Sequence, residues 1–206
     1  TVQAIESAID TLGYVPNAMA GGLAGGGGRL VGVVVPSVRN AFFAETILGL
    51  QETLAPAGLQ VMLGNTGYDS RAEQAIVRSV LSWKPAAMVL TGLAHDRDTV
   101  RALRQSAVPV IETWEIGGQP LDLAIGFSHE AAGAAAARHL CGRGRRRLAF
   151  LGARLADDAR ARQRSQGFLA AATGAGAEAV CLDHPAPAGA QVGTILLDRL
   201  LREGPA

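Results

Sequence analysis

Polar and aromatic side chains follow directly after a short apolar run near residue 30. Leu30 to Val35 is an apolar run of mainly β-branched residues with one glycine, which is typical of a strand buried on both faces of a parallel sheet. Pro36 ends this run, because proline cannot donate to a strand ladder. The groups that come next suit hydrogen bonding and ring stacking to a small polar ligand, and they are Ser37, Asn40, Phe42 and Phe43.

Three further side chains mark the ends of later apolar runs. Thr91, Trp114 and Phe127 follow or end the third, fourth and fifth predicted strands. Ligands of open parallel sheets bind outside the carboxyl ends of the strands. A threonine hydroxyl suits a sugar hydroxyl, and a tryptophan ring suits a sugar face. The structural alternatives are a helix cap for Thr91, a cover of the sheet edge for Trp114 and a core position for Phe127.

Arg164 lies at the start of a predicted helix, three residues before Gly167. Its planar guanidinium can hold a carboxylate or vicinal hydroxyls with two parallel hydrogen bonds. It also belongs to an arginine-rich stretch with Arg154, Arg160 and Arg162, and exposed arginines are the norm. From the residues alone, a binding role and a solvated position are equally open.

Residues for catalysis or metal binding form no recognisable pattern. The four histidines lack the spacing of metal ligands, and no Gly-x-Ser-x-Gly turn occurs. The glycine run 25–28 precedes a strand, whereas a phosphate-binding loop follows one. The sequence therefore predicts neither an enzyme nor a metal or cofactor site.

Composition limits the class of protein. The 206 residues are 49% hydrophobic and 18% charged, so the chain can bury a core. The formal net charge of +1 gives no reason to expect nonspecific binding of nucleic acid. Cys141 and Cys181 have no metal-type spacing, and neither a signal peptide nor a bilayer-spanning run is visible. The sequence predicts a cytoplasmic protein with no membrane partner.

Alternating strands and helices position these residues. A helix is predicted from Ala41, with Phe43, Ile47, Leu50 and Leu54 on one face. Further strands are predicted at 59–63, 86–90, 108–112 and 121–127, and helices at 72–83, with Trp83 on the inner side, and at 96–105.

A second series begins at Ser128, a candidate helix N-cap. Helices are predicted at 128–141, 160–173 and 190–201, and strands at 147–151 and 178–182. Repeated strand–helix units of this kind predict an α/β fold with parallel sheets in two subdomains.

The first 28 residues have a different character. Val2, Ile5, Ile9 and Leu12 share one helical face, and Gly13 stands where a C-terminal cap would. Residues 17–28 are predicted to form a weak helix followed by a flexible, glycine-rich linker.

Three motifs stand in a fixed order along the chain. They are residues 8–17 with Ala20 and Leu23, residues 31–36 with 40–45, and residues 164–168. Together they resemble the LacI/GalR family of bacterial transcriptional regulators. Residues 112–115 and 122–127 are most similar to the gluconate-repressor branch of that family.

The resemblance implies a helical DNA-binding head joined by a hinge to a two-lobed, periplasmic-binding-protein-like domain. The expected domains are a remnant of the helix-turn-helix head at 1–16, a hinge at 17–28, a first lobe at 29–127 and an incomplete second lobe at 128–206. Asn17, Ala20 and Leu23 match hinge positions that contact DNA in the family, where the leucine wedges into the minor groove. Gly21 stands where an arginine is usual.

The resemblance also implies that a small sugar or sugar acid, gluconate among the candidates, binds between the lobes. The arginine at the position of Arg164 reaches this effector in the family. The full-length protein is expected to be a homodimer that binds operator DNA. The expected effector site comprises Ser37, Asn40, Phe42, Phe43, Thr91, Trp114, Phe127 and Arg164.

Two other interpretations remain open at this point. One is a carbohydrate-binding protein of the periplasmic type without DNA binding, against which the missing signal peptide and the helix–hinge start argue. The other is an α/β enzyme that uses a sugar or nucleotide. That enzyme would need a dinucleotide fingerprint after the first strand, and the loop 36–40 contains no glycine.

Overall fold

A computed structural model describes residues 2–14 and 28–203 of the chain. Helix α1 (Val2–Leu12) forms as its periodicity predicts, and all but one of its residues are exposed, with none buried. The hinge residues Asn17, Ala20 and Leu23 lie outside the described residues.

Five parallel strands form the first sheet, in the order β2-β1-β3-β4-β5. We call this sheet, with the helices packed on it, the first lobe. Its strands are β1 (Leu30–Val35), β2 (Gln60–Asn65), β3 (Ala87–Thr91), β4 (Val110–Thr113) and β5 (Leu123–Ile125).

Helices cover both faces of this sheet. They are α2 (Ala41–Leu54), α3 (Ser70–Ser82) and α4 (Arg97–Ser106). Phe43 and Ile47 of α2 pack on the odd-numbered valines of β1, while Val77 and Val80 of α3 pack on the other face. A Cβ on Gly32 would overlap the Val80 side chain, so glycine in β1 lets α3 approach closely.

The second lobe is built on a parallel pair of strands. Its elements are α5 (His129–Gly142), β6 (Arg147–Ala153), α6 (Ala159–Gly174), β7 (Glu178–His184) and α7 (Ala190–Glu203). Ala137 of α5 and Phe168 and Ala172 of α6 pack on Leu148 of β6 to form its core. Ser128 is the N-cap of α5, as its position in the sequence predicts.

The α/β fold class and the element order predicted from the sequence are confirmed. The fifth strand is shorter than predicted, three residues instead of seven. The assignment of Trp83 to an inner helix face was wrong. Trp83 is the C-cap of α3 and 45% exposed, because Val77 and Val80 supply the buried side of that helix.

Candidate functional site

The loop after β1 forms one edge of the site. The Oγ of Ser37 accepts the N–H of Arg39 at 3.3 Å. The Oδ1 of Asn40 accepts the N–H of Phe42 at 3.1 Å and makes Asn40 the N-cap of α2. Ser37 and Asn40 are half-buried at the carboxyl end of β1, and both are occupied in shaping this loop.

The two phenylalanines at the start of α2 point in different directions, as their helical spacing predicts. Phe43 is 5% exposed and belongs to the core between α2 and the sheet. Phe42 is 68% exposed. The predicted contact of Phe42 with a ligand stays a prediction.

Trp114 brings three aromatic side chains together. Its ring contacts Phe42, Phe43 and Phe127 edge-on, with centroid distances of 6.0, 5.8 and 6.2 Å. Its Nε1–H donates to the Oγ1 of Thr46 on α2 at 3.2 Å. Phe42 from the start of α2, Trp114 after β4 and Phe127 after β5 therefore meet in one apolar cluster.

The backbone at Trp114 makes a tight turn just after β4. Its φ is 70°, in the left-handed region that a tryptophan rarely adopts. Gly126 lies against this turn, and a Cβ on Gly126 would overlap the backbone of Trp114 and Glu115. Glycine at position 126 is therefore required for the chain after β5 to pass beside Trp114.

Thr91 lies where the two lobes meet. Its Oγ1 donates to the carbonyl of Val34 at 3.1 Å, across to the neighbouring strand. Its own carbonyl oxygen is 3.5 Å from the Nη1 of Arg160 in the second lobe. The helix-capping alternative does not apply, because Asp96 caps the following helix.

Arg164 projects from the second turn of α6 and is half-buried. Its Nη1 donates to the Nδ1 of His129 at 2.8 Å. Among the described residues, no carboxylate lies within ion-pair distance of Arg164. Burial lowers the pKa of the Arg164 guanidinium, the carboxylate of Asp158 opposes this, and the positive charge of Arg160 lowers the pKa further.

Sequence reasoning missed two groups that join the lobes. The carboxylate of Glu115, buried just after Trp114, accepts the Gln163 amide N–H at 2.6 Å through Oε1 and the Leu93 N–H at 3.2 Å through Oε2. His129 is 3% exposed and bonds both Arg164 and the Trp114 carbonyl. Glu115 follows the end of β4 and His129 follows the end of β5. A polar residue after a strand is the signal that the sequence offered for each of them, and it is a weak one.

Tyr68 lies on the second-lobe side of the loop after β2. The guanidinium carbon of Arg154 is 5.3 Å from the centroid of its ring. Burial and the nearby carboxylate of Asp158 raise the pKa of the Tyr68 hydroxyl, so it stays a neutral donor. Within residues 2–14 and 28–203, no group of three His, Cys, Asp or Glu side chains could hold a metal ion.

Residues 29–189 match the family model described as periplasmic binding proteins and sugar binding domain of LacI family. The transcriptional regulator GntR of Pseudomonas aeruginosa is 36% identical over 98% of this chain and 59% of its own length. GntR of Escherichia coli K12 is 35% identical over 73% of this chain and 46% of its own length. The chain belongs to the LacI family.

Solved structures agree with this assignment. A LacI-family regulator from Silicibacter pomeroyi superposes with a TM-score of 0.89 at 32% identity, over 97% of this chain and 60% of that one. The regulator GntR from Chromobacterium violaceum superposes with a TM-score of 0.79 at 39% identity, over 85% of this chain and 65% of that one. This LacI-family chain thus spans less than two thirds of the length of these relatives, and its similarity to GntR supports the gluconate-repressor branch.

The relatives named above are all described as transcriptional regulators, and none is described as an enzyme. No helix in the described parts of this LacI-family chain is long and apolar enough to cross a bilayer. Its candidate site lies at the carboxyl ends of the first-lobe strands, where ligands of open α/β sheets bind.

Proposed function

We propose that this chain binds a sugar-acid effector between its two lobes and belongs to a DNA-binding repressor, with gluconate as the first candidate effector. The observation that carries the proposal is Arg164, a half-buried guanidinium without a carboxylate partner among the described residues. An anionic ligand would supply the missing charge through a bidentate hydrogen bond.

The surrounding side chains support a ligand with a polyol chain beside its carboxylate. Phe42 and Phe127 are exposed next to the Trp114 ring and offer apolar faces to carbon-bound hydrogens. Tyr68, in the loop after β2, interacts through its hydroxyl with the side chain of Asn40 in the loop after β1, so polar groups of both loops lie close together. A few polar groups on an apolar wall are typical of small-molecule sites.

The remaining parts of the proposal concern the whole protein. Because the relatives are helix-turn-helix regulators, we propose that a homodimer in the cytoplasm binds operator DNA under control of the effector. Asn17, Ala20 and Leu23 are the proposed hinge contacts to DNA. The proposed boundaries are 1–16 for the head remnant, 17–28 for the hinge, 29–127 for the first lobe and 128–206 for the second.

Calorimetry with gluconate and sorbitol tests the proposal, because the two ligands differ in the carboxyl group. We expect saturable binding of gluconate and at least tenfold weaker binding of sorbitol. Arg164→Lys should lower gluconate affinity about ten- to hundredfold, since lysine keeps the charge and loses the fork. Arg143→Lys, at an exposed position of the second lobe, is the matched control.

Equal affinity for gluconate and sorbitol would contradict the sugar-acid assignment. Unchanged gluconate affinity in Arg164→Lys would show that Arg164 does not bind the effector. A thermal-shift screen of further sugar acids then identifies the effector, because a bound ligand stabilises the folded state by mass action.

A further inference from the structure

His129 connects the lobes through both of its ring nitrogens. Its Nε2 is 2.6 Å from the carbonyl oxygen of Trp114 in the first lobe, and its Nδ1 is 2.8 Å from the Nη1 of Arg164 in the second. The Phe127 ring lies against the imidazole, with centroids 4.5 Å apart. The ring is therefore held at two atoms and on one face.

The partners of His129 define its proton position. A carbonyl oxygen only accepts, so Nε2 carries the hydrogen that bonds Trp114. A guanidinium only donates, so Nδ1 is the bare nitrogen that accepts from Arg164. The imidazole is consequently the neutral Nε2–H tautomer.

We propose that His129 is a positioning residue whose neutral imidazole accepts from the Arg164 guanidinium through Nδ1 and so aims it into the effector site. The inference rests on the proposed function for the identity of the effector. The hydrogen bonds of His129 themselves are all made with residues of this chain, so the inference about its position does not depend on which effector binds.

The hydrogen-bonded chain continues beyond Trp114 into the first lobe. The indole Nε1–H of Trp114 donates to the Oγ1 of Thr46, which donates to the Phe42 carbonyl at 2.8 Å. Arg164 is thus linked to helix α2 through His129, Trp114 and Thr46.

Charged groups around His129 favour its neutral form. Burial lowers the pKa of the imidazole, the hydrogen bond to the Trp114 carbonyl opposes this, and the charges of Arg164 and Arg160 lower it further. The carboxylate of Glu115 raises the pKa of His129, but its oxygens already accept two hydrogen bonds. Protonation of Nδ1 would set an N–H against an N–H of Arg164, so the Arg164 bond is lost in the charged form.

Two substitutions separate the two bonds of His129. The Oδ1 of asparagine stands where Nδ1 stands, so His129→Asn keeps an acceptor for Arg164 and loses the bond to Trp114. The side-chain amide of glutamine reaches the position of Nε2, so His129→Gln keeps the donor to Trp114 and loses the acceptor for Arg164. We expect gluconate affinity within about threefold of wild type in His129→Asn and about tenfold weaker in His129→Gln.

His139→Asn is the matched control on the exposed side of the same helix and should bind gluconate like the wild type. A double-mutant cycle with Arg164→Lys should show coupling for His129→Gln and none for His139→Asn. Equal affinity of His129→Gln and wild type would overturn the inference.

Nitrogen-15 spectra of the imidazole give a readout that needs no effector. Wild type should show the Nε2–H tautomer, and Arg164→Met should shift the Nδ1 resonance while leaving Nε2–H in place. A wild-type proton on Nδ1, or an Nδ1 resonance indifferent to Arg164→Met, would refute the positioning role. If wild type binds no gluconate, the proposed effector fails, and these spectra alone decide the role of His129.

Discussion

The guanidinium of Arg160 lies over the ring of Phe43, with its carbon 5.9 Å from the ring centroid. Arg160 lies in the first turn of α6 in the second lobe, and Phe43 is a core residue of the first, so this cation reaches across the junction. The side chain of Arg160 is 12% exposed, and its nearest carboxylate, Asp158, is 3.8 Å away. The lobes therefore meet through a cation–π contact as well as through the His129 and Glu115 hydrogen bonds.

Arg160→Gln should weaken gluconate binding more than it weakens the fold. The substitution removes a cation–π contact of about 0.5–2 kcal/mol and one positive charge next to Arg164. We expect a three- to thirtyfold loss in gluconate affinity by calorimetry, with a small change in the denaturant midpoint. Arg138→Gln, exposed on α5, is the control. Equal gluconate affinity of Arg160→Gln and Arg138→Gln would show that Arg160 does not contribute to effector binding.

Gly133 and Gly167 set the distance between α5 and α6. A Cβ on Gly133 would overlap the Arg164 carbonyl, and a Cβ on Gly167 would overlap the Glu130 carbonyl. Either substitution by alanine should lower the free energy of unfolding by about 1–3 kcal/mol, because the overlap is with backbone. Chemical denaturation measures this loss.

The control for these substitutions is Gly193→Ala in α7, where a Cβ meets nothing within 4 Å. Alanine there should stabilise the helix by up to about 1 kcal/mol. A Gly133→Ala variant as stable as wild type would show that the two helices can separate without cost. Because Arg164 lies at the crossing, we also expect Gly133→Ala to weaken gluconate binding.

The stability of the first lobe should depend on the charge of His95. Burial lowers the pKa of His95, but Glu73 at 2.7 Å and Glu112 at 3.4 Å outweigh it, and the net pKa is above its ordinary value of 6.5. A raised pKa in the folded state gives stability that is fully present below pH 6.5 and is lost as pH rises through the folded pKa.

Denaturant unfolding of wild type and His95→Gln across pH 6 to 9 checks this expectation. The free energy of unfolding of wild type should fall over that range, and the slope should be smaller in His95→Gln. His139→Gln, a histidine substitution at an exposed position, is the control. Parallel pH profiles for wild type and His95→Gln would mean that His95 is not charged in the folded state.

Local patterns explain what the sequence could predict. Phe43 as a core residue and Ser128 as a helix cap follow from spacing within a few positions, and both have these roles in the structure. His129 depends on a carbonyl 15 residues before it and a guanidinium 35 residues after it, so no local pattern reveals it. Trp83 was misassigned because periodicity extended its helix by one residue beyond the last buried turn.

The two tryptophans should report differently on the effector. Trp114 is packed among Phe42, Phe43 and Phe127 and is bonded through its carbonyl to His129, whereas Trp83 caps α3. Binding of gluconate should therefore change the fluorescence of Trp114 in a saturable way and leave Trp83 nearly unchanged. The change should persist in Trp83→Phe, which is tolerated at a half-exposed cap, and vanish in Trp114→Phe. A signal that disappears with Trp83 instead would mean that the effector binds away from the carboxyl end of β4.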